Sequence, residues 1–259
     1  MTDATRADGA PPDLSDLTRD RLRAASTATV ATLLHKRGFR NQYVQGVRPL
    51  VPPGRVMVGR AFTLRHIPAR EDVDVVEAFR DPGHPQRVAV ESVPPGAVLV
   101  MDCRRDASAA SAGSILLTRL AVRGCAGVVT DAGVRDAAGI AALDLPCFCA
   151  GPSAPTNLAR HHAVDVNVPV GCGGAPVYPG DVVVGDGDGV IVIPAHLADE
   201  VAAEAGPMEA FEAFAVAEVR AGRPVVGTYP PDDATRARYA AYQRGEYAPG
   251  AAAAPTAPA

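Results

Sequence analysis

An apolar run, a helical segment and a second apolar run follow one another between residues 97 and 130. The first run, AVLVM, ends at Asp102, the segment SILLTRLAVRG carries leucines at helical spacing, and the run GVVT comes shortly after Gly124. Short apolar runs bounded by turn residues are typical of buried strands, and a strand–helix–strand unit of this kind connects with right-handed geometry. This segment therefore predicts a protein of the α/β class, built around a buried sheet.

Further strand candidates lie on both sides of this unit, and two of the runs follow a proline–glycine turn. Pro95-Gly96 precedes the run 97–101 and Pro179-Gly180 precedes the run 181–185, as expected for turns that lead into strands. The DGDG sequence at 186–189 predicts a hairpin turn. A metal-binding loop is the alternative, although the distal Glu of an EF-hand is missing. The predicted strands are 56–64, 97–101, 127–130, 145–149, 182–185 and 190–193.

Helical segments flank this set of strands. A first helix is expected over Leu17–Lys36, closed by Gly38, with a fresh start at Ser26-Thr27 as the alternative. A last helix is expected over His196–Gly222. The segments around the strands thus alternate less regularly than in a TIM barrel.

The length of 259 residues is enough to bury one large core. No linker between the ends is long or biased enough to mark a domain boundary. We expect one domain over 17–228, a mobile N-terminal tail over 1–16, and a C-terminal extension over 229–259 that ends in a disordered Ala/Pro tail.

The composition excludes several classes of function. Lys and Arg number 25 against 29 Asp and Glu, which gives a net charge of −4, so there is no basic surplus to bind nucleic acid. No run of 18 apolar residues indicates a membrane span, and no apolar segment near the N-terminus indicates a secretory signal. Five scattered cysteines fit a reducing compartment better than a disulfide framework. A cytoplasmic protein without nucleic-acid or membrane partners is expected.

Arg135 and Asp136 are the best-placed pair for chemistry, because they follow a buried strand at its carboxyl end. Ligands of α/β proteins gather at such ends. Arg presents a planar fork for a carboxylate, and Asp is a hard-oxygen ligand for Mg²⁺ or Mn²⁺. Together they could hold a 2-oxo acid. The alternative is that Asp136 caps the next helix and Arg135 lies on the surface.

The sequence Gly113-Ser114-Ile115-Leu116 opens the helix of the central unit. Gly113 permits close approach of another backbone or a ligand, and the N–H groups of Ile115 and Leu116 are unpaired donors of a first helical turn. Such donors suit a carboxylate. An ordinary helix start capped by Gly and Ser is the alternative.

Only one of the 25 basic residues is a lysine, and 24 are arginines. An aldolase that works through a Schiff base needs a buried lysine. Lys36 lies in a His-Lys-Arg-Gly helix end that is expected to be solvated. If the protein makes or breaks a C–C bond beside a ketone, a metal ion is therefore the expected means.

Five segments occur in unbroken order: STATVATLLHKRG (26–38), VGRAFTL (58–64), PGAVLVMD (95–102), AGSILLTRLAVRGCAGVVTDAGVRD (112–136) and PGDVVVGDGDGVIVIP (179–194). Together they resemble the RraA-like family over about residues 17–228. That family includes regulators of RNase E activity and the metal-dependent 4-hydroxy-4-methyl-2-oxoglutarate aldolases, which are class II pyruvate aldolases.

The resemblance implies a β/β/α swivelling-type fold that assembles as trimers or hexamers with active sites at subunit interfaces. It implies that Arg135 stabilises an enolate and that Asp136 binds Mg²⁺ or Mn²⁺. The N–H groups of Ile115 and Leu116 match those that hold the carboxylate of pyruvate. Glu212 matches a glutamate that a neighbouring subunit contributes near the metal.

Two positions depart from the aldolases of this family. Ser114 stands where they usually carry an acid after the helix-opening glycine, and Ala31-Thr32 stand where they tend to have an acid in the first helix. Loss of these carboxylates would lower metal affinity and remove a proton carrier. Substrate specificity is expected to lie in loops such as 65–91.

Three functions follow from the resemblance. The first is a metal-dependent lyase that cleaves a 4-hydroxy-2-oxo acid by retro-aldol chemistry, or decarboxylates oxaloacetate, through a pyruvate enolate. The second is a non-catalytic binding protein similar to the RNase E regulators. The third is a sugar-acid dehydratase or hydrolase that uses the same site. The intact Arg135-Asp136 pair favours the lyase, because a binding protein has no need of a metal ligand beside a guanidinium.

Overall fold

The structure, a computed structural model, describes residues 13–52, 54 and 56–250. Residues 1–12 of the predicted N-terminal tail and the end of the Ala/Pro tail, 251–259, lie outside the described residues. Ser15 caps a helix that begins at Asp16, so the last residues of the predicted tail already belong to the folded chain. Within the described part, no helix is long and apolar enough to cross a lipid bilayer.

In the part of the chain that the structure describes, eleven strands form two sheets. They are β1 (Arg48–Pro49), β2 (Met57–Pro68), β3 (Val98–Asp102), β4 (Ala110–Ala112), β5 (Gly127–Thr130), β6 (Gly133–Val134), β7 (Cys147–Cys149), β8 (Gly151–Pro152), β9 (His161–Val166), β10 (Val182–Asp186) and β11 (Gly189–Ile193).

The helices of the described residues are distributed along the whole chain. They are α1 (Asp16–Arg23), α2 (Thr27–Lys36), α3 (Pro85–Ser92), α4 (Ser114–Val122), α5 (Ala137–Ala141), α6 (Ala198–Arg220) and α7 (Asp233–Gln243). Short 3-10 turns add Val76–Arg80, Asn157–Ala159, Cys172–Gly174 and Ala195–Leu197.

The larger sheet has eight strands in the order β1-β7-β5-β3-β2-β10-β11, with β9 paired to β2. Its centre, β2, β3, β5 and β7, is parallel, and the remaining pairs are antiparallel. The smaller sheet, β4-β6-β8, is parallel. Each of its strands follows one parallel strand of the larger sheet in the chain, so the smaller sheet continues from the carboxyl ends of β3, β5 and β7. The predicted α/β class is confirmed.

Strand β3 is buried on both faces, which explains its continuous apolar run. Leu99 and Met101 belong to the core cluster that contains Leu117 of α4. Val98 and Val100 belong to the cluster on the other face, with Phe148 of β7. The helix α4 therefore packs against the sheet, and its N-terminus lies where the smaller sheet begins.

Two expectations about single elements were wrong, and two features were not predicted. The helix predicted over Leu17–Lys36 is two helices, because the Ser26 hydroxyl accepts the Thr29 N–H at 3.1 Å and starts α2 afresh. The segment 65–91 is not a loop, since β2 continues to Pro68 and α3 begins at Pro85. The pairing of β9 with β2 and the helix α7 were not predicted, because neither has a strong apolar period of its own.

The chain divides into two compact units whose boundary falls between Ala205 and Gly206, inside α6. The first unit contains both sheets. The second is organised around Phe214, which contacts the rings of Tyr239 and Tyr242, and around the buried carboxylate of Glu218. That carboxylate pairs with Arg223 and Arg238 and accepts a hydrogen bond from Tyr247. This boundary lies within the segment predicted as one domain.

Candidate active site at the N-terminus of α4

The N-terminus of α4 carries free donors, as predicted. Gly113 is the N-cap in extended conformation, with no side chain to cap the helix. The Leu117 N–H reaches the Gly113 carbonyl at 3.2 Å. The N–H groups of Ile115 and Leu116 precede that bond, so the helix itself offers them no acceptor.

Arg135 and Asp136 lie beside this helix start. The Arg135 N–H donates to the Ala112 carbonyl at 3.0 Å, which ties the end of β6 to the end of β4. Asp136 has left-handed backbone torsions (φ 60°, ψ 42°), and its side chain makes no capping bond to α5. Asp136 occupies the N-cap position of α5, as in the alternative interpretation, but its side chain does not cap that helix. Its Oδ2 instead accepts hydrogen bonds from the N–H and the hydroxyl of Ser114, both at 3.2 Å.

Gly113 is required by the close approach of the two segments. A Cβ at this position would lie 2.8 Å from Cγ of Arg135 and 2.9 Å from Oδ2 of Asp136. Both distances are shorter than real contacts allow. The absence of a side chain at Gly113 lets the Arg-Asp pair pack against the helix start.

Both side chains of the pair remain accessible to a ligand. Arg135 and Asp136 are 46% and 48% exposed, and Nε of the arginine lies 3.9 Å from Oδ1 of the aspartate. An ion pair this long and this exposed contributes little to folding stability, about 0–1 kcal/mol at most. The guanidinium and Oδ1 are thus free to bind other groups.

The pair and the helix start share a cavity of about 260 Å³. Gly113, Ile115, Leu116, Arg135 and Asp136 all line it. The structure therefore brings residues predicted from the two separate motifs to one cavity. Ser114 does not line this cavity, but it donates hydrogen bonds to Asp136, which does.

Further lining residues were missed by the sequence analysis, among them Phe79, Arg87 and Asn157. The first two lie in the segment 65–91 that was expected to be a specificity loop. Asn157 lies in the 3-10 turn after β8 and is only 7% exposed. No local pattern indicated these residues, because they reach the cavity only through the tertiary fold.

Glu212, the remaining predicted catalytic residue, lies on α6 in the second compact unit. Its carboxylate accepts a hydrogen bond from the Tyr229 hydroxyl at 2.9 Å. Its role stays a prediction.

Thr32 does not line the Arg135 cavity. Its hydroxyl donates to the Ala28 carbonyl one turn earlier at 3.1 Å, and it lines a separate cavity of about 340 Å³ beside Tyr43. Lys36 is exposed at the end of α2, in agreement with the expectation that it cannot serve as a buried Schiff-base lysine.

The donor set suits a hard cation that keeps most of its water. In the described residues, no three His, Cys, Asp or Glu side chains form a group that could hold a metal. Mg²⁺ commonly binds through one or two carboxylates with water and substrate oxygens in the other positions. Asp136, with an accessible Oδ1 and an Oδ2 oriented by Ser114, fits that pattern.

The chain is similar in sequence to known proteins. The chain matches the RraA-like family, described as Aldolase/RraA, over residues 13–192. A Halalkalibacterium halodurans protein named "Putative 4-hydroxy-4-methyl-2-oxoglutarate aldolase" is 41% identical over 106 residues, which are 41% of this chain and 50% of that protein. This chain thus spans half the length of that relative.

Solved structures support the same fold. Streptomyces coelicolor RraAS2, described as an unusual member of the RNase ES inhibitor RraA protein family, matches with a TM-score of 0.69 and 30% identity over 78% of this chain and 97% of that chain. An uncharacterized protein from Pseudomonas syringae pv. tomato shares the fold at 24% identity, with a TM-score of 0.72 over 84% of this chain and 95% of that chain.

The resemblance found in the sequence and the predicted fold are both confirmed by these matches. The family match covers well over half of the chain. The protein therefore belongs to the RraA-like, or Aldolase/RraA, family.

Proposed function

We propose that the protein is a divalent-metal-dependent lyase. It cleaves the C3–C4 bond of a 4-hydroxy-2-oxo acid, or decarboxylates oxaloacetate, and leaves the enolate of pyruvate. The observation that carries this proposal is the arrangement of Arg135 and Asp136 beside the free N–H groups of α4, at one cavity. Its membership of the Aldolase/RraA family supports the same chemistry.

The N-terminus of α4 binds the substrate carboxylate. The N–H groups of Ile115 and Leu116 donate to its two oxygens, and the positive end of the helix dipole adds attraction. Gly113 keeps this surface open, because any side chain there would meet Arg135. The 2-oxo group of the bound acid then lies toward the Arg-Asp pair.

Arg135 stabilises the charge that develops during bond cleavage. When the C3–C4 bond breaks, its electron pair forms the C2–C3 double bond of the enolate, and the oxygen at C2 becomes negative. The guanidinium is oriented by its position directly after β6. Asp136 would hold Mg²⁺ or Mn²⁺, which as a bound Lewis acid would polarise the 2-oxo group. Ser114 keeps the carboxylate of Asp136 turned toward the cavity through its two hydrogen bonds.

A proton must leave the C4 hydroxyl in the aldol cleavage, and one must reach C3 of the enolate. We assign this transfer to Glu212 of a neighbouring subunit in a homotrimer or homohexamer, acting through water. Tyr229 donates a hydrogen bond to this carboxylate and holds it in place.

The proposal is tested by incubating the purified protein with oxaloacetate and a panel of 4-hydroxy-2-oxo acids. Mg²⁺ or Mn²⁺ is added, and pyruvate is followed with a coupled dehydrogenase. Metal-dependent pyruvate release that Asp136→Ala abolishes and Asp144→Ala leaves intact supports the lyase, since Asp144 is exposed and does not line the cavity. No turnover of any compound, together with no metal binding by calorimetry, contradicts it.

A binding function is the second candidate, and the match to the RNase ES inhibitor relative RraAS2 favours it. Here the partner would be an endonuclease bound through the protein surface. Stoichiometric binding to such an endonuclease that survives Arg135→Ala supports this function, and loss of binding in that variant contradicts it. A sugar-acid dehydratase or hydrolase, the third function, would show turnover of sugar acids without release of pyruvate.

A further inference from the structure

A second cavity adjoins the Arg135-Asp136 pair. It has a volume of about 290 Å³, and its lining shares only this pair with the cavity at the start of α4. Ala110 and Ala112 of β4 line the first cavity, and Pro152 of β8 lines the second. The pair directly follows β6, which is the middle strand of the smaller sheet. Arg135 and Asp136 therefore lie between the two cavities.

The lining of the second cavity is small and, apart from the pair, uncharged. Its other residues are Val134, Ala137, Pro152, Ser153 and Ala154. The Ser153 N–H donates to the Val134 carbonyl at 2.8 Å, which fixes the backbone of this wall. The Ser153 side chain adds a neutral hydroxyl to the lining. The second cavity thus offers apolar surface and one hydroxyl group beside the pair.

The two cavities differ in what they offer an anion. The cavity at the start of α4 contains the free N–H groups of Ile115 and Leu116, whereas the second cavity has no cation besides Arg135. In the proposed reaction this guanidinium binds the enolate oxygen. A carboxylate in the second cavity would therefore meet no free cation and would lie near Asp136, so the loss of its hydration would cost free energy. An apolar group would gain free energy by leaving water.

We propose that the second cavity is a subsite for the part of the substrate beyond C3, and that it selects a departing fragment without charge. This inference rests on the proposed function, which assigns the substrate carboxylate to the start of α4 and the C2 oxygen to Arg135. The C3–C4 bond then lies beside the pair, and the chain beyond it extends into the second cavity. Cleavage converts C4 and its hydroxyl into the carbonyl group of an aldehyde or ketone, to which the Ser153 hydroxyl can donate. The preferred substrates are therefore 4-hydroxy-2-oxo acids with a single carboxylate, unlike the dicarboxylate in the name of the Halalkalibacterium halodurans relative.

The experiment is calorimetric binding to the full chain in Mg²⁺ buffer, with pyruvate, 2-oxohexanoate and 2-oxoadipate as probes. The two longer probes have the same chain length, and only 2-oxoadipate ends in a second carboxylate. Neither has a 4-hydroxyl group, so neither is cleaved. We expect the wild-type protein to bind 2-oxohexanoate about tenfold more tightly than pyruvate, because its apolar tail is buried. We also expect it to bind 2-oxohexanoate about tenfold more tightly than 2-oxoadipate, because the second carboxylate loses its hydration.

Three variants test whether the second cavity is responsible for this selectivity. Ala154→Arg adds a cation to its lining at an exposed position and is expected to strengthen 2-oxoadipate binding by about tenfold. Ala154→Gln adds bulk without charge and is expected not to strengthen it. Ala142→Arg adds the same charge at an exposed position that lines neither cavity and is expected to change no affinity. The melting temperature of each variant shows whether it is folded.

The outcomes are decisive in both directions. A wild-type preference for 2-oxohexanoate over both other probes, with a gain in 2-oxoadipate binding in Ala154→Arg alone, supports the subsite. Wild-type protein that binds either pyruvate or 2-oxoadipate as tightly as 2-oxohexanoate overturns it. The same 2-oxoadipate affinity in Ala154→Arg as in Ala154→Gln or Ala142→Arg also overturns it. If the selectivity is found but no substrate releases pyruvate, the proposed lyase function fails and the subsite stands, whereas pyruvate release without the selectivity leaves the lyase and removes the subsite.

Discussion

Gly113 offers the most local test of the site, because its missing side chain makes room for the Arg-Asp pair. In Gly113→Ala, the new Cβ would meet Cγ of Arg135 and Oδ2 of Asp136, and one or both must move. A displacement of about 1 Å at a reacting group costs about 100-fold in rate. We therefore predict a fall in kcat of about 100-fold for pyruvate release.

Gly206→Ala is the matched control for that substitution. Gly206 lies in α6, and a Cβ there would meet nothing within 4 Å. Alanine in a helix is better than glycine by about 0.5–1 kcal/mol, so this variant should keep full activity and unfold at equal or slightly higher temperature. Equal activity in Gly113→Ala and wild type would contradict the tight packing of the pair.

His66 predicts a pH dependence of stability. Burial lowers its pKa to about 4, and Nδ1 lies 3.0 Å from the Asp102 carbonyl. The ring of His161, whose pKa burial also lowers, lies 6.0 Å away. In the unfolded chain a histidine takes up its proton near pH 6.5. The unfolded state therefore binds the proton first, and stability is present above pH 6.5 and is lost as pH falls toward 4.

The expected loss from His66 is about 3 kcal/mol over that range, from a shift of about 2.5 pH units. His66→Asn retains a donor for the Asp102 carbonyl and does not titrate. Urea unfolding of both proteins at pH 7, 5.5 and 4.5 measures the difference. The free energy of unfolding should fall more steeply with acid in the wild type. Parallel curves would show that His66 is not buried in its neutral form.

Residues that act through a local motif were predictable from the sequence, whereas residues that act through the fold were not. Gly113 and the pair Arg135-Asp136 were found because each follows a strand or opens a helix at short range. Arg87 and Asn157 reach the same cavity from α3 and from the turn after β8. Nothing in the sequence around them marks them as cavity residues, because they come near Arg135 and Asp136 only in the folded chain.

At the scale of elements, the DGDG turn links the β10–β11 hairpin to helix α2 by hydrogen bonds. Asp186 and Gly189 pair at the end of the β10–β11 hairpin, as predicted. The Asp186 carboxylate accepts the N–H and the hydroxyl of Thr27, both at 2.7 Å, at the first residue of α2. It also accepts the N–H of Asp188 at 2.9 Å. The carboxylate thus serves the turn and the helix start, in place of the metal loop considered from the sequence.

This connection predicts that replacing the two aspartates of the turn by alanine lowers the free energy of unfolding by different amounts. Asp186→Ala should lower the free energy of unfolding by about 2 kcal/mol, because charged hydrogen bonds contribute about 1.5–3 kcal/mol each and water replaces part of them. Asp188→Ala, on the exposed side of the same turn, should change it by less than about 0.5 kcal/mol. Chemical denaturation measures both. Equal effects would argue against the link from Asp186 to α2.

The same connection shows why the first helix was predicted as one element. The apolar period runs through Leu17–Lys36 without a proline or glycine, and only Ser26 signals a new start. The break depends on Ser26 as a cap and on Asp186, about 160 residues later in the chain, as the acceptor for Thr27. Local helix propensity cannot include the hydrogen bond to Asp186, because that residue lies far away in the sequence.

At the scale of the whole molecule, the proposed assembly predicts that two inactive variants complement each other. If Glu212 serves a site in a neighbouring subunit, Arg135→Ala and Glu212→Gln each abolish activity alone. Mixed oligomers contain sites with both native residues. After unfolding and refolding of an equal mixture, about a quarter of the sites should be complete in a random assembly.

Activity of the mixture measures this directly, and light scattering should give three or six times the chain mass of 26.6 kDa. Variants mixed without unfolding are the control, because their subunits stay in their own oligomers. A refolded mixture with no activity above that control, or a monomer of full activity, would contradict a shared site.

The most direct test of the lyase proposal is the rate of pyruvate release from oxaloacetate as Mn²⁺ is titrated into wild-type protein and Asp136→Asn. Asn retains the shape of Asp136 and an oxygen for Ser114, but it lacks the charge that binds a hard cation. We predict a saturable, metal-dependent rate for the wild type and a loss of about 100-fold or more in the variant. Equal rates in the two proteins, or a wild-type rate no greater than that of Mn²⁺ alone, would contradict a metal-dependent lyase at Arg135 and Asp136.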